Sequence, residues 1–190
     1  MPYTYPPFAR VASIEKEDEK RYRLEIDLQA PGRQTWVVIQ KNPSRANTRV
    51  SDHTINRVLN YLERNRLRTP VLAGIGRVVF LNLIPWYETY SDRLVRKENT
   101  LSDPENLQAI KASLKGGNPC IIAWGNPPAG LSKPYEALSD QVLKLLENFG
   151  NPTYHVGPLT RLGYPRHGQI WGYADPLRPY TGKPESFKQV

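Results

Sequence analysis

The chain has 190 residues, 39% hydrophobic and 23% charged, a length that suits one domain with a real core and a composition that excludes a disordered or fibrous protein. No run approaches the roughly eighteen apolar residues of a membrane span, and Met1 to Pro7 lacks the basic-then-apolar layout of a secretory signal, so a cytoplasmic protein, a monomer without membrane contact, is expected. The balance of 26 Lys and Arg against 18 Asp and Glu gives +8, which favours a polyanionic partner because neutralising phosphates releases counterions, while a single cysteine excludes an internal disulfide or an iron-sulfur cluster.

Residues 1–19 are rich in proline and tyrosine at their start and show no period, so an irregular amino-terminal arm is expected before a single domain over 20–171. Arg21 to Gln29 alternates, with Tyr22, Leu24, Ile26 and Leu28 on one face, the pattern of a half-buried strand. The turn Ala30-Pro31-Gly32-Arg33 then predicts an antiparallel hairpin with the next strand. That strand, Trp36-Val37-Val38-Ile39, is a continuous apolar run suited to a centre covered on both faces. It must leave the sheet at Lys41-Asn42-Pro43-Ser44, where proline removes a ladder donor. Ser51 or Asp52 caps a helix whose Ile55, Val58, Leu59 and Leu62 form one stripe. A second buried strand, Val78 to Pro85, contains an unusual Asn82, and Asp103-Pro104-Glu105 starts a helix with Leu107, Ile110 and Leu114 inward. The third strand is Cys120 to Trp124, with a buried thiol. The third helix begins at Ser132 and Pro134, carries Leu138, Val142, Leu145 and Phe149 and stops at Gly150; the fourth strand of this alternation is Thr153 to Gly157. The loop Pro158 to Trp171 follows, then a polar Pro/Gly-rich tail over 172–190 that reads as poorly ordered. Alternating strands and helices predict an α/β protein, a three-layer sandwich with a mostly parallel central sheet and an antiparallel edge hairpin.

Ligands of such sheets bind beyond the strands' carboxyl ends. The unusual polar residues fall there: Lys41, Asn42 and Ser44 after one strand, Asn82 in the next, Trp124 and Asn126 at the third, and Arg161, Arg166 and His167 after the fourth. Each has a plainer reading. Asn42 before proline can simply initiate a turn, Trp124 can be core, His155 can be structural and His53 exposed. Asn82 resists that, because a buried amide needs partners. The sequence lacks a dinucleotide or phosphate-loop glycine motif, a nucleophile elbow and a metal-ligand cluster, so no cofactor or metal is expected. What remains is an amide-rich site with cationic loops, suited to a heterocycle's edge and to phosphates.

Asn42-Pro43-Ser44, Phe80-Leu81-Asn82-Leu83, Ala123-Trp124-Gly125 and Arg166-His167 together resemble domain-of-unknown-function family 1643 over about residues 20–171, with Gly168 where that family usually shows proline. More distantly, the order of motifs is similar to the uracil-DNA glycosylase superfamily. That resemblance implies a uracil-DNA-glycosylase-like fold and excision of a modified or deaminated base from DNA. It implies that Asn42 orients a water and His167 stabilises the leaving base, while Asn82 reads the base edge with Trp124, Ser44 and Asn126 beside it. Lys41, Arg45, Arg161 and Arg166 would hold phosphates, and Ile170 or Trp171 would enter the duplex as a wedge. The departures are Gln40, in place of a glycine, and the absence of a proline-serine after His167. Two other readings stay open: a non-catalytic nucleic-acid or nucleotide binding protein, and an enzyme acting on a small nucleoside.

Overall fold

The computed structural model describes residues 3–29, 32–88, 94 and 101–182; Ala30, Pro31, Tyr90 and residues 183–190 lie outside them. In chain order the elements are β1 (Ala9–Glu17), β2 (Lys20–Leu28), β3 (Gln34–Gln40), α1 (His53–Asn65), β4 (Ile75–Asn82), α2 (Pro104–Leu114), β5 (Cys120–Ala123), α3 (Ser132–Asn148), β6 (Thr153–Val156) and β7 (Leu177–Pro179). They form one seven-stranded sheet in the order β1-β2-β4-β3-β5-β6-β7.

The sheet is mixed rather than mostly parallel. β4, β3, β5 and β6 run parallel, but β1 with β2, β2 with β4 and β6 with β7 are antiparallel, and these ladders hold the larger share of paired residues. The expected hairpin between β2 and β3 does not form. β3, whose Trp36, Val37, Val38 and Ile39 are all fully buried, lies between β4 and β5, where both faces and both edges are covered. β2 pairs with β4 instead, and polar side chains reinforce that choice: Arg77 of β4 reaches Asp27 of β2 at 2.7 Å and Glu25 at 3.5 Å.

Residues 9–17 of the expected irregular arm form β1, an edge strand on β2. Register shifts between Val11 and Ser13 and between Glu15 and Lys16 break its two-residue period, which hides the strand in the sequence. At the far edge Leu177–Pro179, within the expected disordered tail, pairs with β6.

Two apolar clusters lie on the two faces. Trp36, Val38, Phe80, Ile121 and Ala123 pack with the α1 residues Ile55, Val58, Leu59 and Leu62. Val37, Ile39, Val79, Leu81 and Ile122 pack with Ile110 and Leu114 of α2 and Val142 and Leu146 of α3. The helices begin as their capping residues dictate: Asp52 accepts from the Ile55 amide at 2.8 Å and Asp103 from that of Asn106 at 2.8 Å. In α2, Leu107 is only half-buried, with Ala109 and Ile110 further in. In α3 the buried residues are Tyr135, Ser139, Val142 and Leu146, whereas Leu138, Leu145 and Phe149 pack at the margin. The Tyr135 hydroxyl sets this phase by donating to the carbonyls of Trp124 and Gly125 at 2.9 and 3.2 Å. Cys120 opens β5 fully buried, and burial pushes its thiol well above the ordinary range. Among the described residues no helix is long and apolar enough to cross a membrane.

β3 leads through α1 to β4 on one side, and β4 leads through α2 across β3 to β5 on the other, so the strand order reverses at β3. A crevice opens at such a point, beside the carboxyl end of β3. The amino ends of β3 and β4 are fastened by backbone contact: a Cβ at Gly76 would lie 1.9 Å from the Gly32 carbonyl oxygen, and one at Gly32 would lie 2.1 Å from that of Gly74. Gly76→Ala is expected to destabilise the protein by about 1–3 kcal/mol, seen as a lower urea midpoint at unchanged m-value.

Candidate functional site

A cavity of about 350 Å³ sits at the carboxyl end of β3. Asn42, Ser44, Arg45 and His167 line it, together with Gln40, Asp52, Glu88 and the first residues of α1, His53 and Thr54. Other hollows lie elsewhere, among them one across Arg45 beside Lys16, Asp18 and Tyr87 and one at the β6 and β7 rim.

The turn after β3 is held from three sides. Asn42 Nδ2 donates to the Glu88 carbonyl at 2.6 Å and to that of Pro43 at 3.3 Å. Ser44 Oγ donates to Asp52, whose other oxygen caps α1, so one carboxylate ties the turn to the helix. From below, the fully buried Arg21 donates through Nη1 to the carbonyls of Ala46 at 3.1 Å and Ser44 at 3.5 Å. Burial lowers the Arg21 guanidinium from its ordinary value, and the Asp52 charge opposes that shift.

His167 comes from the opposite side. It caps a short 3-10 turn, Gly168–Ile170, and its Nδ1 accepts from the Gln169 amide at 3.3 Å. An acceptor Nδ1 places the proton of the neutral ring on Nε2. Burial, helped by the nearby Lys41 charge and opposed by Asp52, lowers His167 from 6.5 to about 4, so the ring is neutral at physiological pH. Lys41 is itself lowered by burial. Gly125 makes room for the histidine: at φ +69° its backbone passes so close that a Cβ would lie 3.0 Å from His167 Cβ, and its amide donates to the Pro165 carbonyl at 3.0 Å. Gly168 meets α1 the same way, since a Cβ there would lie 2.8 Å from Val58 Cγ2 and 3.5 Å from Gln40 Nε2.

Gln40, which lines the crevice, stands beside a second amide, Asn82, that lies behind it and does not itself line the cavity. Gln40 and Asn82 are register partners in the parallel ladder, and side-chain alternation from Val38 and Phe80 puts both on the α1 face. Asn82 is fully buried and Gln40 3% exposed. Neither amide atom of Asn82 and not the Nε2 of Gln40 has a hydrogen-bond partner among the described residues.

The other expected site residues do not converge here. Trp124 belongs to the cluster on the opposite face, with its indole nitrogen buried and unpartnered among the described residues. Asn126 is exposed and accepts from Thr160 Oγ1 at 2.6 Å. Arg161 is exposed, and Arg166 faces Asp175 at 3.5 Å. Ile170 stands out at 60% exposure, whereas Trp171 is buried at 1%. Trp171 stacks edge-on against Tyr61 with 5.2 Å between centroids and donates to the Arg166 carbonyl at 3.1 Å, so it anchors the loop and cannot act as a wedge.

Sequence reasoning passed over Gln40, Asp52 and Arg21. Gln40 is the polar residue that ends β3 directly after its apolar run, and the capping signal of Asp52 says nothing of its second oxygen. Arg21 fell on the polar phase of an alternating strand, which reads as solvent-facing.

The neutral His167 has a consequence for stability. In the unfolded chain it takes up a proton near 6.5, in the folded protein only near 4, so between these values the unfolded state binds more protons and folding stability falls as pH falls. His155, lowered by burial and by Arg178, adds to the same trend. His167→Asn is therefore expected to flatten the loss of stability between about pH 6.5 and 4 relative to the wild type, as measured by urea melts across that range.

No curated protein and no solved structure matches the chain. The family model DUF1643, described as a protein of unknown function, matches residues 21–168. That span runs from the buried Arg21 past His167 and covers both walls of the crevice, and the chain belongs to this family.

Proposed function

We propose that the crevice recognises a nucleobase and that the protein is a uracil-DNA-glycosylase-like hydrolase, with the layered fold of that superfamily, which excises a modified or deaminated base from DNA. The observation that carries this reading is the pair of buried amides, Gln40 and Asn82, with three amide atoms unpartnered among the described residues. Leaving such groups unmet costs about 1–3 kcal/mol each. A heterocycle carrying a carbonyl beside a ring N–H supplies an acceptor and a donor at one edge and meets that need.

The surroundings suit departure of a base. A neutral His167 with its proton on Nε2 can donate to a base oxygen as negative charge develops there. Asn42 cannot take a proton. Its nitrogen is bound to two carbonyls, and its Oδ1 remains to accept from a water and orient it toward the sugar's C1′, which suffices when bond breaking runs ahead of attack. The electrons of the N-glycosidic bond leave with the base, water oxygen bonds to C1′, and the water's proton passes to solvent. Arg45, which lines the crevice, fits a flanking phosphate, the half-buried Lys41 near His167 adds positive potential to the site, and the exposed Ile170 fits a wedge filling the gap left by an extruded nucleotide.

The second reading, a nucleic-acid or nucleotide binding protein without catalysis, is favoured by Asp52: both of its oxygens are already engaged, by the Ile55 amide and by Ser44. An abasic-site assay separates the two, run on single- and double-stranded oligonucleotides with uracil, deaminated purines or oxidised bases. The glycosylase reading expects base release from one of these, reduced by roughly 10²-fold or more in Asn82→Ala and in His167→Ala. Salt-sensitive binding without release would leave the binding reading in its place.

A further inference from the structure

Helix α1 buries Ile55, Val58, Leu59 and Leu62 against the sheet. His53, Arg57, Asn60 and Arg64, spaced four, three and four residues apart, form a stripe along its outer side. The guanidinium carbons of Arg57 and Arg64 lie 4.6 and 4.0 Å from the centroid of the Tyr173 ring. Among the described residues neither arginine makes an ion pair. The acid of α1, Glu63, is taken by Arg66 at 2.7 Å.

Two cations held against one ring without a carboxylate repel each other, and an anion between or beside them relieves that repulsion. Stacking occupies the guanidinium faces and leaves the N–H edges free, the geometry that grips phosphate oxygens. The arginines are seven residues apart, about 10 Å along the helix, and the stripe begins at His53, which lines the crevice mouth.

We infer that the outer face of α1, centred on Arg57, Tyr173 and Arg64, is a track for the phosphodiester backbone of the nucleic acid whose nucleotide enters the crevice. The inference rests on the nucleic-acid part of the reading above and not on catalysis. Charge selects the occupant, since the stripe presents two guanidinium groups two helical turns apart and the acid of α1 is paired with Arg66. An acidic peptide is the competing partner for such a surface.

The track is tested by binding of a fluorescent oligonucleotide that carries a stable abasic analogue, so that no base need be recognised, measured by anisotropy over a series of sodium chloride concentrations. Arg57→Gln/Arg64→Gln should reduce the slope of log affinity against log salt by about 1.4 for a single strand or about 1.8 for a duplex, two phosphate contacts' worth. Arg57→Lys/Arg64→Lys should keep most of the slope. Lys111→Ala/Lys144→Ala, which removes two exposed charges from α2 and α3 on the opposite face, should leave it nearly unchanged. Thermal melting verifies that each variant is folded. An unchanged slope in the glutamine pair, or an equal drop in the opposite-face control, overturns the track. So does tighter binding of a poly-glutamate peptide of equal charge with the same dependence on both arginines. Base release is assayed in parallel: a slope that falls without release keeps the track and rejects catalysis, and release with an unchanged slope rejects the track alone.

Discussion

The organisation of this protein follows from one constraint, that β3 is apolar on both faces and must be covered on both faces and both edges. Trp36 to Ile39 are fully buried, and the strand obtains its cover from β4 and β5 at its edges, α1 on one face and α2 with α3 on the other. A strand so enclosed can place polar groups only where it ends. Gln40, Asn42 and Ser44 therefore line the crevice, and the crossovers that supply the cover are the ones that reverse the strand order there.

A second layer of constraint comes from charge. Arg21 is a guanidinium out of contact with water that donates to backbone carbonyls of the Ser44 to Ala46 segment, while Asp52 receives Ser44 and caps α1. Breaking the Arg21 bonds leaves a buried charge further uncompensated, which is more costly than the bonds themselves are worth. The turn, the first turn of α1 and β2 are thereby fixed as a unit, and the stripe of α1 is fixed relative to the crevice mouth. His167 is positioned by different means, close backbone approach at Gly125 and the anchoring of Trp171 against Tyr61.

The elements with strong local signals were legible in the sequence: the apolar run of β3, the caps at Asp52 and Asp103, the stripe of α1. The polar residues Asn42, Ser44 and His167 could be placed at strand ends from chain order alone, and they line one cavity. Pairing was less legible, because a short turn says that two strands are close and says nothing of the better partner further along; Arg77 of β4 facing Glu25 and Asp27 is a contact between residues fifty apart. β1 escapes because its bulges break the period, and the sequence does not separate the exposed Ile170 from the buried Trp171 because an apolar residue in a loop looks the same whether it points to solvent or to the core. Arg21 shows the limit of alternation, which assigns a residue to a face without saying whether another segment covers that face.

Cys120 gives the buried parallel core a property of a different kind. Cys120 heads β5 between β3 and β6, and its sulfur lies in the apolar cluster covered by α2 and α3; because only a thiolate reacts, a reagent meets it solely in molecules where that buried core has opened. With one cysteine in the chain, every labelled molecule records one such opening. The protein thus carries an internal clock for the opening of its core on the α2 and α3 side, readable by mass without any engineered probe.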